Sequence, residues 1–293
     1  MALDYSSGVN YEWLFSFERF AEHCNFTRAA EELHISQPAL HVQIKKLSEM
    51  IGVPLYHRRG RALYLSPEGE KLAAYAREAR EQGQRVLADV RGETTIGPVV
   101  LAAGQGAFLY LLGPAIRRFP KDRWPLRLLS MSGPDALDAL RSSRAHVAVA
   151  VLEDPPDDLV TERLRDVGQQ VVVPTNHRLA GRRRVTLEAL DGEQLIVAPT
   201  GSPHRVALTQ ALRTAGVDWT VAVEATGWQL MLHFARNGMG ITVVNDFCTI
   251  PRGMVGVPLQ GIPPVSYHAV RRARQPDEPV QALLALIRRT LHD

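Results

Sequence analysis

A chain of 293 residues with 45% apolar and 22% charged side chains can bury a sizeable core, which excludes a disordered or fibrous protein and predicts one large or two ordinary domains. The only cysteines, Cys24 and Cys248, fall in different predicted domains, so no disulfide framework or zinc spacing can be built, and a reducing cytoplasm is the expected setting. No stretch approaches the ~18 consecutive apolar residues of a membrane helix and no signal-peptide pattern is present, so neither export nor insertion is expected. The net charge of +3 is unevenly spread: Met1 to Ile35 carries two Lys/Arg against six Asp/Glu, net −4, whereas Ser36 to Leu65 carries five against one, net +4. Taken alone that basic run fits an ordinary solvated cluster; around a reading helix it is the footprint of a phosphate binder.

Residues 1–10 are polar and predict a loose leader. From about Glu12 to Cys24, the spacing of Leu14, Phe17, Phe20, Ala21 and Cys24 predicts a support helix. Thr27 is placed to cap a short second helix with Ala29, Ala30 and Leu33 inward, and Ile35 fills the turn after it. Ser36 then opens a third helix, with Pro38 at its second position. Leu40, Ile44 and Leu47 form its buried stripe, and Gln37, Ala39, His41, Val42, Lys45 and Lys46 its opposite face. Gly52 stops it. Leu55 to Leu65 reads as two short strands around a basic turn at Gly60, which completes a winged helix-turn-helix. Such a helix buries one side and leaves the other free to enter a DNA groove.

These residues resemble the LysR-type transcriptional regulators. The match runs through Phe20-Ala21-Glu22, Asn25 to Leu40, Gln43 to Leu47, Ile51 to Tyr56 and Leu65-Ser66-Pro67-Glu68-Gly69. His41 and Val42 depart from the small polar residue and arginine usual after Leu40. The resemblance implies a DNA-binding head at 1–66, a dimer-forming linker helix at 67–92 and an effector-binding domain at 93–293. It places Gln37, Pro38, His41 and Gln43 near base edges, with Ser36 at the same helix start, and Thr27, Arg28, Lys45, Arg58, Arg59 and Arg61 nearer phosphate.

Ser66, Glu68 and Glu70 favour the start of a long helix running to about Arg91. Leu72, Ala76, Ala79, Gly83, Val86 and Val90 follow heptad spacing, which fits pairing with a second helix; a solitary amphipathic helix is the alternative. Gly92 to Pro98 marks a hinge. Beyond it strands and helices alternate: runs at Val99–Ala103, Leu126–Met131 and His146–Leu152 are separated by helices at Phe108–Phe119 and Pro134–Arg141, and a parallel sheet is expected. A second unit has strands at Gln169–Val173, Leu195–Ala198, Trp219–Glu224 and Ile241–Val244. Its helices lie at Leu187–Leu190, Pro203–Ala215 and Gly227–Asn237, and a returning strand at Pro263–Val270 and a closing helix at Val280–Leu291 follow. Periodicity gives α/β. The family resemblance implies a two-lobed, periplasmic-binding-protein-like effector domain, lobe I at about 97–160 and 266–293 and lobe II at about 161–265. Asn237 to Ile241 carries the family's glycine-rich turn, whereas Asn245 stands where Pro is common and His146 where Asp is common.

Ligands of open α/β sheets gather where strands end and helix N-termini offer amides. Gly104-Gln105-Gly106, Ser132-Gly133 and Pro199-Thr200-Gly201-Ser202 with His204 and Arg205 sit at such junctions. Gln105, Gly106, Ser132, Gly133, Thr200, Gly201, Ser202, His204 and Arg205 are therefore the candidate effector contacts. Arg205 as a bidentate carboxylate partner points to an anionic effector such as an organic acid. The same residues also fit a plainer reading, with Ser202 only an N-cap, the glycines only turns and Arg205 a solvated side chain.

An enzyme is the first rival. The chain lacks the third glycine of a dinucleotide fingerprint, a Gly-Lys-Ser/Thr phosphate loop and a Gly-x-Ser-x-Gly elbow, and its ten histidines have no metal-ligand spacing. No catalytic residue, metal or cofactor is expected. An architectural DNA binder, the second rival, leaves the C-terminal two thirds without a task. The expectation is an effector-responsive transcription factor that binds double-stranded DNA as a homodimer or homotetramer.

Overall fold

The computed structural model describes residues 9–60, 62–90, 97–273 and 277–292. Two compact units are present: Met1–Leu101 with Pro120–Leu128 and Pro134–His146, and Ala102–Phe119 with Leu129–Gly133 and Val147–Asp293. Residues 92–96 of the predicted Gly92–Pro98 hinge and wing residue Arg61 lie outside the described residues.

The first unit opens with helices α1 (Tyr11–His23), α2 (Phe26–Glu32) and α3 (Gln37–Ile51), hairpin β1 (Tyr56–Arg59) and β2 (Ala62–Leu65), and the long α4 (Pro67–Val90). Phe17, Phe20, Phe26, Ala29, Leu40, Ile44, Leu47 and Leu55 form one buried cluster, and the α3 stripe lies in it as its spacing predicts. One cap differs. Asn25, not Thr27, starts α2: its side-chain oxygen accepts from the Thr27 and Arg28 amides at 3.0 and 3.2 Å, which puts Thr27 inside the first turn. Asn and Thr both cap well, and spacing alone cannot choose between them. At the head of α4, Ser66 Oγ accepts from the Gly69 amide at 3.0 Å and donates to the Pro54 carbonyl at 2.7 Å.

Next come β3 (Val99–Ala103), a π-helical turn at Ala107–Leu111, α5 (Gly113–Arg118), β4 (Leu126–Ser130), α6 (Gly133–Arg141), β5 (Val147–Val151) and β6 (Leu159–Val167). The rest comprises β7 (Gln169–Pro174), a 3-10 turn at Leu187–Leu190, β8 (Gln194–Val197), α7 (Pro203–Thr214), β9 (Thr220–Glu224), α8 (Trp228–Arg236), β10 (Ile241–Asn245), β11 (Met254–Leu259), β12 (Val265–Arg272) and α9 (Glu278–His292). They build two five-stranded sheets, ordered β4-β3-β5-β12-β6 and β11-β7-β10-β8-β9. The chain passes from one sheet to the other after β6 and returns after β11.

Both sheets are mixed rather than parallel. β12 pairs antiparallel with β5 and β6, and β7 pairs antiparallel with β10 and β11, while β8 runs parallel to β9 and β10. Strands β6 and β11 are missing from the sequence reading for a physical reason. Each is a sheet edge, β6 is rich in charge and β11 holds Gly256 and Pro258; edges tolerate both, and so lose the apolar signature of a central strand. The central strands show the opposite pattern. In β7, Val171 and Val173 pack with Leu208 and Leu212 of α7, whereas Val172 between them packs with Met231 and Leu232 of α8. Helices cover both faces, so an unbroken apolar run is what the strand requires.

Candidate nucleic-acid interface and effector loops

The α2–α3 turn and the hairpin gather most of the predicted DNA contacts on exposed positions. Ser36 caps α3, accepting from the Ala39 amide at 3.2 Å, and leaves Gln37, Pro38, Ala39, His41 and Val42 exposed on the first turns. Thr27 donates to Gln37 at 3.4 Å, which ties the two helix starts together, and Arg28 is exposed beside it. The His41 ring stacks on Phe26 with centroids 3.6 Å apart and planes 15° off parallel, so it is held at a fixed height above the core. Lys45 is exposed with Glu49 at 3.7 Å, a surface pair of little energetic weight. In the hairpin, Arg59 pairs with Ala62 across the turn, Gly60 adopts φ +61, and Arg58 Nε donates to the Gly60 carbonyl at 2.9 Å. Arg59 leans over the Tyr64 ring at 6.0 Å.

Gln43 is the exception. Its amide donates to Glu12 of α1 at 2.9 Å and its carbonyl oxygen is buried, so it faces the neighbouring helix rather than the exposed surface of α3. A partner at the start of the chain carries no local signal. Lys46, not among the predicted contacts, is exposed with its ammonium 5.5 Å from the Trp13 ring, and His57 is exposed on the wing.

Further along the same unit, α4 is fixed at both flanks. Arg80 donates three hydrogen bonds of 2.9–3.1 Å to Glu18, whose side chain is fully buried in α1. From α4, Arg77 donates to the Ser142 carbonyl, Glu78 accepts from Ser143 at 3.1 Å, and Glu81 lies 3.3 Å from His146 Nε2. Because the Val100 amide donates to His146 Nδ1 at 2.9 Å, the neutral ring carries its proton on Nε2, facing Glu81. His146 thereby joins the long helix to the start of β3. Glu22, His23 and Glu32 group their ligand-type atoms within 4.8 Å, but Glu32 is hydrogen-bonded to His23 at 2.9 Å and Glu22 is paired with Arg19 at 2.9 Å, contacts that account for the cluster.

In the second unit the three loops end up in different surroundings. The Met131 amide donates to the Ala103 carbonyl at 3.0 Å, so the Ser132-Gly133 loop lies beside Gly104. Gly106 is pressed by Trp228: a Cβ there would lie 2.9 Å from the indole Nε1 and 3.8 Å from Phe247. Gln105 covers Gly227, whose φ of +87 favours glycine; a Cβ there would lie 2.5 Å from Gln105 Oε1, the movable end of that side chain. His204 meets Trp228 edge to face at 4.5 Å. Both its ring nitrogens are shielded from solvent with no hydrogen-bond partner among the described residues, and burial lowers its pKa to about 4, so the imidazole is neutral.

Ser202 caps α7 as predicted, with the Arg205 amide at 3.4 Å, and Gly201 has φ +87. Thr200 donates to Glu224 at 3.3 Å. Arg205 lies with its guanidinium 4.8 Å from the Trp219 ring, before the first residue of β9, whereas Glu224 is that strand's last. The arginine is thus turned away from Thr200. The aromatic neighbours escaped the sequence reading: Trp228 meets Gly106, and Phe247 lies tilted against Tyr110 and edge to face with Tyr267, centroids 5.5 and 5.8 Å apart. Only the Gly227-Trp228 pair at a predicted helix start hinted at them.

Known proteins share this arrangement throughout the chain. A profile described as "LysR substrate binding domain" matches residues 92–292, and one described as "Bacterial regulatory helix-turn-helix protein, lysR family" matches residues 11–70. The chain belongs to the LysR family. This LysR-type protein is 29% identical over 238 residues to a hydrogen peroxide-inducible genes activator of Pectobacterium carotovorum subsp. carotovorum, covering 79% of this chain and 78% of that one. Its fold matches full-length OxyR from Pseudomonas aeruginosa with a TM-score of 0.74 at 23% identity, over 97% of this chain and 95% of the other. CbnR, solved in complex with its target DNA, matches with a TM-score of 0.62 at 19% identity, over 96% and 99%. It is accordingly a DNA-binding transcriptional regulator with a substrate-binding domain, and its relatives are regulators rather than enzymes. Among the described residues no helix is long and apolar enough to cross a membrane.

Proposed function

We propose that this LysR-type regulator acts in the cytoplasm as a homodimer or homotetramer. It reads duplex DNA with Gln37, Pro38 and His41 at base edges, and Thr27, Arg28, Ser36, Lys45, Arg58, Arg59 and Arg61 hold the backbone. A small effector at the 104–106, 132–133 and 200–205 loops changes the relation of the paired heads. The observation that carries the reading is the start of α3, where a row of exposed small, amide and imidazole side chains stands over a buried stripe, with basic wing residues nearby. Pairing is supported by α4, which leaves Tyr75, Val86, Leu87 and Val90 exposed, an apolar run suited to a second helix. On this reading the head occupies 1–66, the linker 67–92 and the effector domain 93–293.

The organic-acid expectation depends on Arg205. Its buried Nη1 has no hydrogen-bond partner among the described residues, but to reach it a carboxylate must draw the guanidinium off Trp219, and at Thr200 it meets the carboxylate of Glu224. Peroxide sensing through a disulfide is also disfavoured, since the buried Cys248 thiol is pushed up to about 12 and the other cysteine, Cys24, lies between α1 and α2.

The test is selection of bound fragments from random duplex DNA, followed by affinity measurements across salt. Arg59→Ala is expected to weaken all sequences alike and flatten the salt slope by about one, while His41→Ala changes which sequence is preferred. Equal losses on every sequence for both variants, or no duplex binding at low ionic strength, would overturn the reading.

A further inference from the structure

We propose that the effector is a planar, uncharged aromatic compound bearing a hydrogen-bonding group, held where Gly106, Trp228, Phe247 and His204 meet. The proposal rests on the effector-binding reading above and names its ligand class. Three independent features point there. First, His204 holds two shielded, unpartnered ring nitrogens beside Trp228, an unmet demand for one donor and one acceptor that a bound polar group can satisfy.

Second, the surfaces around it are aromatic. Trp228 and Phe247 border Gly106, and Tyr110 and Tyr267 flank Phe247, so a flat ring finds π-faces of the kind that favour offset and edge contacts. Glycine at 106 lets the indole rest on the backbone, and an entering ring takes that place as the indole swings aside. Third, the nearby charges oppose an anion. Thr200 is already bonded to Glu224, His204 is neutral, and Arg205, whose buried Nη1 has no hydrogen-bond partner among the described residues, lies against Trp219, so a carboxylate at this site would gain that cation only by drawing it off the indole. Asp246, two residues past Val244 and next to Phe247, adds a further negative charge, bound to the Gly168 amide at 3.0 Å.

Matched probes separate the terms on the full-length protein. Nicotinamide and nicotinate share a ring and differ in charge, while cyclohexanecarboxamide keeps the amide and loses the ring. Saturation-transfer NMR or calorimetry is expected to show nicotinamide binding in about the millimolar range, as its few atoms allow, and at least about tenfold more tightly than either other compound. His204→Ala should weaken nicotinamide about tenfold, and His204→Gln, which restores a donor and an acceptor, should recover most of it. Nicotinate binding as well as nicotinamide, cyclohexanecarboxamide binding as well, or no saturation by nicotinamide at about 20 mM would each overturn the proposal. Duplex DNA binding is measured on the same sample: its persistence with a failed probe series rejects this ligand class alone, whereas its loss rejects the regulator reading.

Discussion

Replacing Arg80 with alanine strips the hydrogen-bonding cation from a carboxylate with no solvent contact and leaves it only the longer-range attraction of Arg77 on the same helix. Glu18 is fully buried on α1 and accepts a bidentate fork from α4, which also raises the Arg80 pKa, chiefly through that hydrogen bonding. Removing one member of a buried ion pair costs about 3–5 kcal/mol, because the orphaned charge keeps its desolvation penalty. Arg80 retains 27% side-chain exposure, so water reaches the site and the loss falls to about 2–4 kcal/mol. Since about 1.4 kcal/mol is tenfold in an equilibrium constant, amide exchange of Tyr11–His23 through local opening should accelerate roughly 30- to 700-fold. Hydrogen–deuterium exchange on the full chain reads this directly and avoids a two-state assumption for a protein of two units. Arg80→Lys, which keeps the charge and loses the planar fork, should fall between. An acceleration below about threefold in Arg80→Ala would refute the claim that this pair fixes the long helix to the head.

Gly69→Ala should cost at least about 3 kcal/mol, the upper end for overpacking, because its Cβ would lie 2.0 Å from the Leu55 carbonyl oxygen; a thermal melt of the head unchanged from wild type would contradict this. His204 has a folded pKa of about 4 against an ordinary 6.5, so acidification protonates the unfolded chain first. Its stabilisation is complete above about pH 6.5 and is lost as pH falls towards 4, by at most about 3 kcal/mol. Denaturant midpoints measured from pH 7 to 4 should fall less steeply in His204→Gln; parallel curves would count against the burial of a neutral imidazole. Cys248, with its thiol pushed up to about 12 by burial, should resist iodoacetamide at pH 8 in the folded protein and react once unfolded, with alkylation mapped by mass spectrometry. Rapid labelling of the native protein would reject that assignment.

The amino-acid sequence by itself determined whatever a few neighbouring residues can encode. The Leu40, Ile44 and Leu47 stripe, the Ser36 cap and the Gly52 stop set the reading helix, because helix periodicity and capping act within a turn or two. Central strands such as Gln169–Pro174 were legible because burial on both faces demands an unbroken apolar run. Only the tertiary structure decided that β12 lies between β5 and β6, that Gln43 turns to Glu12, that Arg205 rests on Trp219, and that Trp228 closes on Gly106. Each depends on residues brought together from different elements, and the competition among partners for one side chain is resolved only when the elements pack.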